Sequence, residues 1–370
     1  MKGKSVHMTD SKVGFLKPRP TKDLKHELTF GSVRSPQGGL TVQHAHELLS
    51  KYGQGALERA RKIILEEKIE NRDVRDALCF FMQQTWTDLE YPGLMAMACE
   101  AVGGKKESTL WIGASLILLR GAMDVHDDII DKQATKTGKS TLYGKWGQDL
   151  AIIAGDVLFY EGLTHLNEAV LDFPKGQGRR ITKMVKDALF EVGTGVAREV
   201  ELRGNFDLSP RDLMKIITQK SACAEMHARI GAIVGRSGRA QENAIGTFGR
   251  LLAVLTMIRD ELIDIYEPEE LLNRKEKECL PLPLLYAMQE ASVKSKVLPI
   301  LEKRTLSDND SEKLANIVLQ SEGFKQLRKF MDEMKQKALT NLKTIKQNEA
   351  IFVMASLLDP IYEDMPVDEN

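Results

Sequence analysis

From Thr41 onward, apolar residues return every three or four positions, the period of an α-helix with one buried face. Leu48, Leu49, Leu57, Ala60, Ile63 and Ile64 form the first such stripe, with Thr41 placed to cap it. A second helix is expected over 74–84. Pro92 then opens a nearly all-apolar helix, 93–102, stopped by Gly103-Gly104. A helix apolar on every side belongs in a core. The next one, about 108–131, shares that character until it runs into Asp124-Val125-His126-Asp127-Asp128-Ile129-Ile130-Asp131. Further helices are expected over about 146–173, broken by residues 174–178, and over 180–202, 210–235 and 240–266. The last is ended by Pro268 and the charged run 269–278. Shorter helices follow near 282–291, 311–320, 323–343 and 349–358. No alternating β-branched run with hairpin signals stands out. The expected class is all-α, a single helical domain over residues 40–362. Residues 1–39 are basic and aperiodic and read as a disordered arm, and 363–370 as a flexible tail.

Composition serves mainly to exclude. A net charge of −1 over 370 residues offers no basic footprint for nucleic acid. Cys79, Cys99, Cys223 and Cys279 are scattered, with neither metal-ligand spacing nor a disulfide framework, and fit free thiols in a reducing cytoplasm. No membrane span is expected, because the most apolar stretch, 110–119, is cut by Arg120 before it reaches about 20 residues. The first forty residues hold no apolar signal-peptide core.

The candidate chemistry lies in the acidic stripe. Asp124, Asp127, Asp128 and Asp131 follow i, i+3, i+4, i+7 spacing and share one helix face. Such a row on an apolar helix repels itself unless cations neutralise it. Asp260-Glu261-Leu262-Ile263-Asp264 repeats the spacing in a later helix. Mg2+ commonly takes one or two carboxylates plus substrate phosphates. Two acidic helices facing across a cavity therefore point to a Mg2+-bridged diphosphate, with the metal drawing charge from the leaving group.

The order His126-Asp-Asp-Ile-Ile-Asp131, Gly138-Lys139-Ser140-Thr141, Tyr143-Gly144 and Ala154-Gly155-Asp156-Val157-Leu158 resembles the trans-isoprenyl diphosphate synthases, the polyprenyl synthetase family. Lys220-Ser221-Ala222, the second acidic element, and Lys277 with Leu280-Pro281 extend the resemblance over roughly 45–355. It implies an orthogonal helical bundle around a deep apolar cavity, acting as a homodimer or as a heteromer with a homologous subunit. It further implies a prenyltransferase that ionises an allylic prenyl diphosphate and joins it to isopentenyl diphosphate or another acceptor. On this resemblance Asp127, Asp128, Asp131, Asp260 and Asp264 hold Mg2+. Asp127, Asp128, Asp131 and Lys220 serve catalysis, while Arg120, Lys136, Lys220 and Lys277 bind substrate. Ala122 and Met123 stand at the cavity.

The chain departs from the family pattern on the isopentenyl diphosphate side. The family's lysine and arginine become Asp88 and Tyr91, its second arginine after the first motif becomes Thr137, and the usual His or Gln becomes Arg120. Two other readings stay open beside the transferase: a non-catalytic or regulatory subunit, and a terpene-synthase-like lyase. Asp124, where an apolar residue is usual, either enlarges the platform or caps a cation.

Overall fold

The computed structural model describes residues 41–362 other than 87 and 137. The basic arm and the tail expected at the two ends lie outside the described residues. The described chain runs α1 (Val42–Glu66), α2 (Arg72–Phe80), α3 (Glu90–Ala101), α4 (Leu110–Ile130), α5 (Leu142–Trp146), α6 (Gln148–Ala169), α7 (Lys175–Leu202) and α8 (Pro210–Lys220). It continues through α9 (Ala222–Val234), α10 (Arg239–Tyr266), α11 (Pro268–Lys277), α12 (Leu282–Ala287), α13 (Ala291–Leu301), α14 (Asp308–Leu319), α15 (Glu322–Lys343) and α16 (Glu349–Ser356). Among the described residues, the only strands are β1 (Thr135–Lys136) and β2 (Lys139–Ser140), paired antiparallel with Thr135 opposite Ser140. The fold is all-α, as the periodicity requires.

Two apolar cores explain why α4 is hydrophobic all round. Ile112, Leu116 and Leu119 face the larger core, while Ala114, Ile117, Leu118, Ala122 and Val125 face a smaller one built with α1, α2 and α6. Residues 106–130 are thus long and apolar enough to cross a membrane, against the expectation from Arg120, yet most of that segment is buried between the cores. Helix α3 is equally enclosed, between α1 and α9. Its approach to α1 depends on Gly93: a Cβ there would lie 2.2 Å from the carbonyl oxygen of Leu49. Gly93→Ala should therefore push α1 and α3 apart and cost about 1–3 kcal/mol, read as a lower urea midpoint.

The structure corrects several sequence boundaries. Helix α6 ends at Ala169, a short 3-10 turn covers Val170–Asp172, and α7 starts at Lys175 and runs through the glycines, so the break falls at 170–174 and not at 174–178. The single helix expected over 210–235 is two, divided at Ser221, whose hydroxyl bonds back to the Ile217 carbonyl at 2.8 Å. The charged run after Pro268 is helix α11, with Pro268 at its start, Glu269 and Glu270 in its first turn, and Arg274, Lys275 and Lys277 in its last. Helix α13, with Pro299 inside it, was not expected.

Candidate active site

Helix α4 ends abruptly below the acidic stripe. Gln133 N–H bonds to the Asp128 carbonyl at 2.8 Å and Lys132 N–H to that of Ile129 at 3.1 Å, with Lys132 left-handed at φ 52°. The β1–β2 hairpin then turns back, and Thr141 fastens it by donating to the Gln133 carbonyl at 2.6 Å and capping α5. This return brings Lys136 onto the stripe. Its Nζ lies 2.6 Å from Asp124 and 3.3 Å from Asp128. Asp124 is therefore paired with a cation in this structure.

The rest of the stripe meets the ends of α7 and α8. Asp131 accepts from Arg203 at 2.5 Å, and Lys220 donates to Glu199 at 2.7 Å. Asp127, Asp131, Glu199, Arg203, Lys220 and Glu278 surround a small cavity of about 80 Å3. Sequence spacing pointed to Asp127 and Asp131 and the family resemblance to Lys220, and the fold brings them together. Asp127 differs from its neighbours: its carboxylate opens to solvent and has no hydrogen bond or ion pair with a described residue. Surrounding protein raises it to about 6, with Lys220 opposing and Asp131 adding to the rise. Burial raises Asp128 to about 7, reinforced by Asp124 and resisted by Lys136. Burial also works against the charge on Glu199, but Lys220, Arg274 and Arg203 together hold it below the usual carboxylate range.

The second acidic element is organised around an arginine. Arg274 donates from Nε to Asp264 at 2.8 Å and from Nη1 to Glu261 at 3.2 Å, and lies 3.4 Å from Glu278. Glu261 also accepts the Leu282 N–H at 2.7 Å. Asp260 is paired with the buried Arg259 at 3.3 Å. Among the described residues no three His, Cys, Asp or Glu side chains gather as a metal cluster. The donors toward the small cavity are carboxylate oxygens, the hard ligands Mg2+ prefers, and Asp127 stands ready without a partner. This donor set fits an ion completed by substrate phosphates, not a cage of protein ligands. Lys277 has no ion pair among the described residues and does not line the small cavity.

The residues that depart from the family pattern form one unit. Arg120 donates to Asp88 Oδ2 from Nε at 3.1 Å and from Nη2 at 2.7 Å, and from Nη1 to Cys223 Sγ at 3.4 Å. Its guanidinium lies 3.8 Å from the centre of the Tyr91 ring. Glu90, fully buried, meets His46 Nδ1 at 2.9 Å. Burial raises Glu90 to about 7, while the bond to Glu90 raises His46 despite burial. Both raised groups make stability fall with rising pH. The Glu90 contribution is complete below its unfolded value near 4.5 and is lost as pH passes about 7. The His46 contribution is complete below its ordinary 6.5 and is lost as pH rises above it. Glu90→Gln should flatten that decline, stabilising the protein at pH 8 and changing little near pH 4.5, as read from thermal unfolding against pH.

A second cavity, of about 760 Å3, runs from Met123 between α6 and α7 and is lined by Phe159, Leu163, Leu166, Leu189 and Phe190. Met123 thus lines an apolar channel just above the acidic stripe. Ala122 instead packs into the smaller core. The sequence did not point to Arg203, Glu199, Glu278, Arg274 or His46. Glu199 and Arg203 do follow i, i+4 spacing at the end of α7, and that is the one signal available.

Comparison with known proteins identifies the fold and the family. The chain is 27% identical over 231 residues to the short chain isoprenyl diphosphate synthase of Methanothermobacter thermautotrophicus, covering 61% of this chain and 66% of that one. It is 26% identical over 188 residues to the geranylgeranyl diphosphate synthase of Methanosarcina mazei, covering 50% of this chain and 56% of that one. The match therefore spans between about half and two thirds of these relatives. Among solved structures, the geranylgeranyl pyrophosphate synthetase from Pyrococcus horikoshii superimposes with a TM-score of 0.74 at 21% identity, covering 86% of this chain and 98% of that one. The polyprenyl synthase from Caulobacter crescentus, complexed with calcium and isoprenyl diphosphate, gives 0.69 at 17% identity, covering 86% and 97%. These two establish the fold. The polyprenyl synthetase pattern matches residues 91–318, more than half of the sequence, and the chain belongs to that family.

Proposed function

We propose that this chain is a Mg2+-dependent prenyltransferase that ionises an allylic prenyl diphosphate and passes the prenyl group to an acceptor. The observation that carries the reading is the convergence of Asp127, Asp131, Lys220 and Arg203 on one cleft beside an apolar channel that starts at Met123. Asp127, Asp128 and Asp131 hold Mg2+, with Asp260 and Asp264 contributing from the second element. Bound Mg2+ supplies positive charge that stabilises the departing diphosphate. Lys220 and Arg203, now held by Glu199 and Asp131, exchange those partners for diphosphate oxygens, and Lys136 and Lys277 add charge at the rim. The apolar side chains of the 760 Å3 channel give the prenyl chain a nonpolar lining. Exposed Ile152, Ile153 and Tyr160 on α6 and Phe190 on α7 support a homodimer, or a heteromer with a homologous subunit; the scattered free cysteines fit a reducing cytoplasm.

The test is purified protein with Mg2+ and allylic diphosphates of ten to twenty carbons, following inorganic diphosphate and organic product. Release that requires Mg2+ and an allylic chain is expected. A second reading, the non-catalytic subunit, is favoured by the pairing of Asp264 and Glu261 with Arg274. It predicts no release by the chain alone and stimulation of a co-expressed homologue. A terpene-synthase-like lyase would give hydrocarbons or alcohols as its sole products.

A further inference from the structure

We infer that Arg203 is a latch on the metal site: by holding Asp131 it makes metal binding conditional on diphosphate, so that neither settles in the cleft without the other. The latch rests on the Mg2+–diphosphate reading above and concerns how that site is loaded.

The small cavity brings together four carboxylates, Asp127, Asp131, Glu199 and Glu278, and two cations, Arg203 and Lys220. The excess of acid suits a divalent cation. Asp127 and Asp131 lie one turn, about 6 Å, apart at the end of α4. Asp127 is open, but Asp131 accepts from Arg203 Nη2 at 2.5 Å. A metal arriving alone therefore finds one free carboxylate and a guanidinium charge beside the other. A diphosphate arriving alone finds Arg203 and Lys220 tied to Asp131 and Glu199, and the bare Asp127 repels it. When both arrive, the diphosphate draws Arg203 away and Asp131 turns to the metal. Each ligand removes the obstacle to the other, which is a positive coupling between them.

Arg203, and not Lys136, is placed to let go. Lys136 holds Asp128 at 3.3 Å but also Asp124 at 2.6 Å, so it keeps a carboxylate whichever way Asp128 turns. Among the described residues Arg203 bonds to Asp131 alone, and its Nε is buried without an acceptor. A diphosphate oxygen satisfies that donor, which the pairing with Asp131 leaves unmet. Arg203 also stands at the C-cap of α7, outside the body of the helix, and is followed by Gly204 at φ 66°. Glycine takes that left-handed turn without strain. The guanidinium is thus carried on a turn and tied at one point.

Equilibrium dialysis of the full chain against Mn2+, which shares the preference of Mg2+ for oxygen ligands, counts metal held per chain with and without inorganic diphosphate. The wild type should reach half-loading at a free Mn2+ concentration at least about fivefold lower when diphosphate is present. Arg203→Gln should load without diphosphate at a Mn2+ concentration at least about fivefold below that of the wild type, and diphosphate should help it less. Arg203→Lys restores the charge and should return the behaviour toward wild type. Equal loading of the wild type with and without diphosphate overturns the latch, and this arm needs no variant. An Arg203→Gln protein that is folded by circular dichroism yet loads no earlier than wild type overturns it too. Failure of the wild type to hold metal even with diphosphate present overturns the Mg2+–diphosphate reading, and the latch with it.

Discussion

Asp127→Ala should lower Mg2+-dependent diphosphate release by about a hundred- to a thousandfold while leaving the fold as stable as before. The two effects separate because Asp127 has no partner to lose. Its carboxylate opens to solvent, without an ion pair among the described residues, and is raised to about 6 by the surrounding protein, with Asp131 and Asp124 adding to the rise. Removing it relieves repulsion along the stripe. Asp128→Ala would give a mixed result, because it also strips Lys136 of one of its two carboxylates. The check is diphosphate release at saturating Mg2+ beside a urea unfolding curve. A variant that keeps its release would remove Asp127 from the mechanism.

The largest loss of stability should come from Arg274→Met. Asp264 and Glu261 are buried, and Arg274 is the cation bonded to both. Deleting one partner of a buried ion pair strands the other charge, at a cost of about 3–5 kcal/mol. Met preserves much of the side-chain volume, so the loss reports charge more than packing. Adding Asp264→Asn to Arg274→Met should restore part of the loss, because the stranded charge goes with it. Urea unfolding of the single and double variants checks this. Equal midpoints for the wild type and Arg274→Met would show that the second acidic element needs no internal cation.

The acidic stripe was legible because four aspartates at helical spacing can mean only one face of one helix. The core helices α3 and α4 were legible because their apolar residues leave no polar side. Lys220 could be read only through family resemblance, since a lone lysine at the end of an amphipathic helix carries no signal of the cleft it enters. Arg274 was hidden for a different reason. Residues 269–278 were read only as the charged run that ends the preceding helix, although acids at their start and bases at their end already matched a short helix. Asp88, Tyr91 and Arg120 were each legible as departures from a pattern, one by one. Their meaning lay in the contact between α4 and the start of α3, where the three side chains form one buried unit. Spacing along a chain does not encode a contact between two helices.

The central claim, that the cleft breaks a carbon–oxygen bond and not a phosphorus–oxygen bond, is tested most directly by turnover in heavy-oxygen water. Mass analysis of both products locates the label. Ionisation at carbon predicts unlabelled diphosphate, with heavy oxygen appearing only in any prenyl alcohol formed. Heavy oxygen in the released diphosphate would mean attack at phosphorus, and would contradict the account.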